Sequence, residues 1–518
     1  MPIPADEKIK RLIDYRAHVM EGGGEERIRE QHARGKLTAR ERLALLFDPG
    51  TFEELNLFAQ HRVTDFGLEH RDFPADGVIT GYGRVGGRQL YAYAQDFTVA
   101  GGAAGEMHEK KIAILLDLAS KSKAPVVGIH DSGGARIQEG ALSLSGYGEI
   151  FYRNTLISGV VPQVAVIAGP CAGGAAYSPA IMDFVVMIKG ISRMFVTGPE
   201  NIKAVTGEDV TAEDLGGAEV HARRSGVCHL LAGDEKEAFE MLKKLLGYLP
   251  SHNREKPPHA PPPVPDLEPR PVLNGIIPEG VYTPFDMKEV IGQIVDEGSF
   301  LELQEYYAPN VIIGFARING YCVGLTANQP AINRGFLDGD AACKATRFVR
   351  FCNCFDIPII NLVDVPGFVP GIKEEHGGIL RHGAKLLFSL SAATVPKITV
   401  ILRKAYGGTF LAMGSRAMGS DRVMAWPTAE ISVLDAEAAV KILYRDEIKK
   451  SADPKGEIER LTKEYRLAIC NPYNAAANLV VDDIIQPAST RKHITLALEA
   501  FIDKEESRPF KKHGNLPL

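Results

Sequence analysis

The 518-residue chain has one tryptophan, seven cysteines and a formal net charge of only −6, and each scarcity excludes something. So small a charge, with no lysine and arginine stripe interleaved with aromatics, excludes a nucleic-acid footprint. An odd number of scattered cysteines argues against a disulfide framework and for thiols kept in a reducing compartment. Cys352-Asn-Cys354 has no second closely spaced pair to complete a zinc site, so no metal is expected. Long apolar runs are also missing. The nearest, Val164 to Met182, is broken by Gly169-Pro170, Gly173-Gly174 and Pro179, which a membrane span would not tolerate. The first residues, Met1-Pro-Ile-Pro-Ala-Asp-Glu-Lys, have neither the apolar core of a secretory signal nor the look of a transit peptide, so a cytoplasmic location is expected. No Walker A loop and no dinucleotide fingerprint occurs.

What is present is a repeat. Pro125-Val-Val-Gly-Ile-His-Asp131-Ser-Gly133-Gly134-Ala135 leads on to Pro162-Gln-Val-Ala-Val-Ile and then Gly169-Pro-Cys-Ala-Gly173-Gly174. Pro358-Ile-Ile-Asn-Leu-Val-Asp364-Val-Pro366-Gly367-Phe368 leads on to Pro396-Lys-Ile-Thr-Val-Ile-Leu and then Lys404-Ala-Tyr-Gly407-Gly408. The offsets are 358 − 125 = 233, 396 − 162 = 234 and 407 − 173 = 234. A spacing kept to within one residue over three anchors points to two related halves. With 45% apolar and 24% charged residues, each half has the composition of a globular domain with a sizeable core.

Each half reads as alternating strands, a helix, then strand, helix, strand, the pattern of a mainly parallel sheet built from crossover units. Asp6 to about Leu46 reads as one helix ended by Pro49-Gly50. Val78 to Val85 and Leu90 to Ala94 read as a hairpin around Gly86-Gly87, followed by a helix from Glu106 to Ser122. The division expected is residues 1–256, a proline-rich linker over 257–271, and residues 272–518.

A strand ending in glycines at a helix start presents bare backbone N–H groups, which is a way to hold an oxygen bearing negative charge. Two such places suggest two oxyanions. A serine hydrolase competes for the reading, since Ser132 and Ser178 flank glycine turns, but the Gly-x-Ser-x-Gly elbow is absent and His130 reads as a strand residue. Cys171 precedes a glycine pair, where a small packed residue explains it better than a nucleophile. Gly377-Gly-Ile-Leu-Arg381-His382-Gly-Ala-Lys385 brings three basic groups to a helix entry, suited equally to an anion or to solvent.

In combination, Gly22-Gly-Gly-Glu-Glu-Arg27, Gln31-His-Ala-Arg-Gly-Lys-Leu-Thr-Ala-Arg-Glu-Arg42-Leu, Asp131-Ser-Gly-Gly-Ala-Arg-Ile-Gln-Glu-Gly140, Gly169-Pro-Cys-Ala-Gly-Gly174, Val363-Asp-Val-Pro-Gly-Phe368 and Ala405-Tyr-Gly-Gly408 resemble the carboxyltransferase subunits of biotin-dependent acyl-CoA carboxylases. The likeness is strongest to the propionyl-CoA carboxylase β, methylmalonyl-CoA carboxyltransferase and decarboxylase types and covers essentially the whole chain. It implies an α/β fold, a tandem duplication of two ClpP/crotonase-like ββα-spiral domains, and a homo-hexamer that is a trimer of dimers. It also implies acyl-CoA on the N-terminal half of one subunit and biotin on the C-terminal half of a partner. Gly173 and Gly174, with Gly134 and Ala135 nearby, would hold the thioester enolate oxygen. Gly408 and Thr409, with Gly367 and Phe368 nearby, would hold the ureido oxygen of biotin. Such a scheme needs no side-chain general base, because the ureido nitrogen itself takes the α-proton.

The resemblance has departures. Leu434-Asp435-Ala-Glu437-Ala438 stands where most relatives have Met-Gly-x-x-Gly, and Leu411 stands where many propionyl-CoA carboxylases carry aspartate and the transcarboxylase type carries leucine. That pocket bears on acyl choice, and a propionyl/methylmalonyl pair is expected. Leu411-Ala-Met413-Gly414 has glycine where a biotinyl lysine would be, so biotin must arrive on a biotin carboxyl carrier protein. A biotin carboxylase or membrane decarboxylase subunits would complete the system. A crotonase-type hydratase or isomerase and a catalytically silent scaffold are the competing readings.

Overall fold

The computed structural model describes residues 4–262 and 264–517. The first three residues of the polar N-terminus and Pro263 of the proline-rich stretch lie outside the described residues. The chain divides into two units, Met1–Glu255 and Lys256–Leu518. Among the described residues no helix is long and apolar enough to cross a membrane.

The strands of the first unit are β1 (Glu53–Leu55), β2 (Val78–Val85), β3 (Arg88–Gln95), β4 (Val126–Ser132), β5 (Gln163–Ala172), β6 (Phe184–Ile188), β7 (Arg193–Phe195) and β8 (Leu230–Ala232). They lie in the order β1-β2-β3-β4-β5-β6-β8, with β7 paired to β5. The second unit has β9 (Leu301–Leu303), β10 (Val311–Ile318), β11 (Tyr321–Asn328), β12 (Ile359–Val365), β13 (Lys397–Tyr406), β14 (Arg422–Ala425), β15 (Glu430–Ser432) and β16 (Asp483–Ile484). Their order is β16-β14-β13-β12-β11-β10-β9 with β15 on β13, the same arrangement strand for strand. The duplicated, crotonase-like α/β architecture is therefore present in both halves.

The physical reasons repeat as well. The β2–β3 hairpin turns on Gly86 and Gly87, both at positive φ, and the β10–β11 hairpin on Asn319 and Gly320, also both positive, as a type I′ turn requires. β4 and β12 are buried at every residue, as central parallel strands covered on both faces are. The crossover helix Glu106–Ser122 buries Ile112, Leu115, Leu116 and Ala119 against the first sheet, a stripe at helical spacing.

One irregularity places the site. β4 pairs with β5 in parallel as far as His130↔Ile167, and the next pair is Ser132↔Cys171, so β5 carries extra residues at that point. β12 and β13 do the same between Val363↔Ile401 and Val365↔Ala405. The bulge bends the strand. Before it β5 pairs with β6, and after it Pro170–Ala172 pair with β7 instead. β13 changes partner in the same way, from β14 to β15.

One expectation is corrected. Residues 6–46 form three helices, Ala5–Met20, Glu25–Ala33 and Ala39–Leu46, rather than one. The break between the first two is a close approach, since a Cβ on Gly23 would lie 2.0 Å from the Thr98 carbonyl oxygen. Thr38 and Glu41 then form a capping box that starts the third. The proline-rich stretch is fastened to the second unit: Ala260 N–H donates to the Gly320 carbonyl (3.1 Å), Arg317 Nη1 to the Pro258 carbonyl (2.7 Å) and Asp266 N–H to Asn319 Oδ1 (2.7 Å). Proline removes donors but leaves carbonyls: Arg317 donates to that of Pro258, while the non-proline residues Ala260 and Asp266 donate back to the hairpin.

Candidate active site

Beyond β4 the chain runs extended past the loop after β3. Ala104 N–H donates to the Gly134 carbonyl (2.9 Å) and Arg136 N–H to the Ala104 carbonyl (2.8 Å). Successive residues of an extended chain face opposite edges, so Ala135, between those two, turns its N–H the other way. Among the described residues that N–H has no partner. The second half copies the geometry: Leu337 N–H donates to the Gly367 carbonyl (3.1 Å), Val369 N–H to the Leu337 carbonyl (2.9 Å), and the Phe368 N–H is left over.

The second donor of each pair comes from the bent strand. Gly134 passes so close to its end that a Cβ there would lie 3.1 Å from the Ala172 carbonyl oxygen. Gly173 sits at φ 61° and Gly407 at φ 60°, a left-handed turn that glycine adopts without strain. Helices Gly174–Ile181 and Gly407–Ala412 begin there, and N–H groups of a first helical turn have no acceptor within the helix. Gly174 and Gly408 are thus equivalent, at 408 − 174 = 234.

This narrows the candidates. The N–H of Gly173 is donated to the Phe195 carbonyl (3.1 Å) and that of Gly134 to Ser132 Oγ (3.1 Å), so neither is available. Their contribution is the path of the backbone, while Ala135 with Gly174 and Phe368 with Gly408 retain donors. Thr409 is buried, and its hydroxyl donates to the Tyr406 carbonyl at 2.7 Å. Leu411 is 38% exposed on the same helix. A Cβ on Gly408 would meet nothing within 4 Å, so the turn is open on that side. One on Gly174 would come 3.0 Å from the Tyr147 ring, which walls the first turn.

The rival constellations are not assembled. Ser132 Oγ donates to the Gly102 carbonyl (2.6 Å) and Ser178 Oγ to Asn154 Oδ1 (2.8 Å), and both side chains are buried. His130 faces the Tyr93 hydroxyl at 3.2 Å, and burial pushes its pKa down to about 3. Cys171 is fully buried, which raises its thiol pKa and makes it inert. Asp435 caps helix Ala436–Leu443 by accepting from Ala438 N–H at 3.1 Å, a local reason for an acid there.

Two pairs of buried residues under these turns escaped the reading of motifs. Asp131 and Asp364 lie opposite the bulges, on β4 and β12, and both are fully buried. Lys36, Arg42 and Gln31 bind the first, and Arg403 and Lys404 the second. Lys111 and Lys344 lie on the crossover helices, each aimed at loop carbonyls. Identity at an offset of 233 was the available signal in both cases (364 − 131 and 344 − 111).

A duplicated crotonase-like fold with a matched pair of unpartnered amide donors in each half defines a class of proteins that stabilise oxyanions with main chain. The chain belongs to the carboxyl transferase domain family, which it matches over residues 30–516. It is 51% identical over 515 residues to the methylmalonyl-CoA decarboxylase subunit alpha of Propionigenium modestum, covering 99% of both chains. It is 50% identical over 513 residues to the propionyl-CoA carboxylase carboxyltransferase subunit of Haloferax mediterranei, again covering 99% of both. A crystal structure of the transcarboxylase 12S hexamer with methylmalonyl-coenzyme A and methylmalonic acid bound superposes with a TM-score of 0.97 at 50% identity, over 100% of this chain and 99% of that one. The protein is a biotin-dependent carboxyltransferase subunit, an enzyme that moves a carboxyl group to or from an acyl-CoA.

Proposed function

We propose that Ala135 and Gly174 hold the thioester oxygen of the acyl-CoA, that Phe368 and Gly408 hold the ureido oxygen of biotin, and that the acyl pair is propionyl-CoA and methylmalonyl-CoA. The observation that carries the reading is the twofold occurrence of one donor turned away from an isolated parallel bridge beside another at a helix start. Donors already fixed in place stabilise charge that develops in the transition state without reorganising, and each is worth about 3–4 kcal/mol. Carboxybiotin, the co-substrate on its carrier protein, supplies the carboxyl group and a nitrogen base. The protein then needs only to hold two carbonyl oxygens while negative charge passes between them.

The assignment of coenzyme A to the first half is supported by a cavity of about 550 Å³ lined by Gly22, Gly23, Gly24, Arg27, Arg34 and Arg71, which reaches Ala100 and Gly101. Gly101 accepts the N–H of Gly133 (3.0 Å), so the cavity adjoins the first turn; Glu21, Glu30 and Asp72 also line it and Arg27 is paired with Glu30 (3.0 Å), so Arg34 and Arg71 are the guanidinium groups that suit phosphates. The names of the relatives support the acyl pair.

Assembly as a homo-hexamer accounts for apolar side chains left bare around both turns. Val196 and Val205 are 63% and 85% exposed in the first unit, and Val433 and Ile442, each 237 positions on, 79% and 66% in the second. Exposed apolar surface of this kind marks a contact between chains. A biotin carboxyl carrier protein, with a biotin carboxylase or membrane decarboxylase subunits, completes the reaction. The cytoplasm suits the seven free cysteines.

The test is incubation with methylmalonyl-CoA, malonyl-CoA or glutaconyl-CoA with and without free biotin. Decarboxylation of methylmalonyl-CoA that depends on biotin supports the reading; water addition to an enoyl-CoA, or preference for another acyl group, overturns it.

A further inference from the structure

Carboxyl transfer leaves one cluster unused. Cys343 lies on helix Gly339–Cys354, and His382 and Lys385 lie on the facing helix Ile379–Ala392. The bare Gly339 lets the helices close at this point, since a Cβ there would be 3.0 Å from His382 Cδ2. Cys343 Sγ is 3.0 Å from His382 Nδ1, and Lys385 Nζ is 3.7 Å from the same sulfur. All three side chains are half-buried, within reach of a small solute.

The charges around the thiol come from each packed element. Asp338 and Asp340 belong to its own helix or the start of it, Tyr307 to the preceding loop, and Arg381, His382 and Lys385 to the facing helix. Burial and the neighbouring Lys385 and Arg381 hold the imidazole pKa below its ordinary value, so near neutral pH His382 is an unprotonated base. Five cysteines, by contrast, are buried, and burial raises the thiol pKa of Cys228 and Cys322 to about 12.

We propose that Cys343 is a modification site: a thiol that His382 deprotonates and Lys385 stabilises as thiolate, and that takes soft electrophiles, hydroperoxides first among them. The thiol proton passes to His382 Nδ1. The thiolate sulfur attacks the terminal oxygen of a hydroperoxide, an S–O bond forms and the O–O bond breaks. The departing alkoxide takes the proton from the imidazolium and leaves as an alcohol. Sulfur is oxidised by two electrons to a sulfenic acid and the peroxide is reduced by the same two.

The test is peptide-resolved alkylation of the whole protein by iodoacetamide between pH 5.5 and 9, with the exposed Cys354 as the internal comparison. Cys343 is expected to react about tenfold faster than Cys354 at pH 7, and His382→Gln to bring it down to the Cys354 rate. Hydrogen peroxide followed by dimedone should place an adduct on Cys343, and Cys343→Ser should remove it. Alkylation of Cys343 no faster than Cys354, an unchanged rate in H382Q, or no dimedone adduct on Cys343 overturns the proposal.

Discussion

Gly169 and Arg403 occupy the same position of the repeat, 234 residues apart, and the side chain missing from the first is why the N-terminal segment can enter the first site. Arg403 Nη2 reaches Asp364 at 2.8 Å from the neighbouring strand. In the first unit that space is filled by Lys36, whose Nζ donates to Asp131 Oδ1 at 2.7 Å, and Arg42 Nη1 donates to Oδ2 at 2.8 Å. A buried aspartate under each glycine turn is thus neutralised in both halves, once by its own sheet and once by residues from before the sheet begins.

Gly169→Ala should therefore damage the first unit. The added Cβ would lie 1.9 Å from Asp131 Oδ1 and 2.8 Å from Lys36 Nζ. Over-packing of this kind costs about 1–3 kcal/mol. Asp131→Asn, which takes the carboxylate from Lys36 while Arg42 keeps its pair with Glu235, should cost more, about 3–5 kcal/mol. Urea midpoints compared at one protein concentration check both, and an unchanged midpoint in either variant contradicts the arrangement.

Gly408→Ala separates catalysis from folding. Gly408 has no positive φ and its Cβ would enter open space, so the variant should fold like the parent. If Gly408 N–H is a donor to the ureido oxygen, a methyl group beside it should crowd that oxygen, and loss of one such donor lowers turnover by about 10²–10³. Biotin-dependent decarboxylation should fall by that factor with the melting curve unchanged. Gly407→Ala, strained by its φ of 60°, should instead lower the melting temperature. Equal activity of G408A and parent removes Gly408 from the site.

The duplication was legible because its anchors are glycines and prolines at turns, where the backbone tolerates few substitutes. The helix Glu106–Ser122 and both hairpins follow from periodicity and paired turn residues. The donor glycines were harder. Gly173 and Gly174 read alike in sequence, and only the pairing of β5 with β7, which takes up the Gly173 N–H, separates them. β7 is three residues long, too short to carry a period. The N-terminal segment reads as one continuous helix because charged residues recur on both sides of Gly22–Gly24, and the contact of Gly23 with Thr98 is long-range.

Lys111 and Lys344 offer a comparison inside one molecule. Lys344 Nζ donates toward the carbonyls of Gln304, Tyr307, Ala308 and Val311, at 2.9, 2.8, 3.3 and 2.8 Å. Lys111 Nζ meets two, those of Ala75 and Val78. Removal of a buried donor leaves each carbonyl with the cost of desolvation, about 1–3 kcal/mol apiece where water cannot replace it. Lys344→Met should destabilise more than Lys111→Met and should speed amide hydrogen exchange over residues 304–311. The reverse ranking contradicts the account.

Glu109 gives a pH dependence of defined sign. The side chain is fully buried beside helix Ala141–Ile157, and burial, with Glu139 nearby, pushes its pKa up to about 9 from an ordinary 4.5. Ser143 Oγ reaches its Oε1 at 3.4 Å. Below pH 4.5 the group is protonated in the folded and the unfolded chain alike, and above 9 it is ionised in both. Between these values the folded protein holds a proton that the unfolded chain has released, so the stability this group contributes in acid is lost as pH rises. Glu109→Gln keeps the shape and has no proton to lose. Its urea midpoint relative to the parent should therefore climb between pH 5.5 and 8.5, and a difference that stays flat or falls over that interval would show that Glu109 ionises normally in the fold.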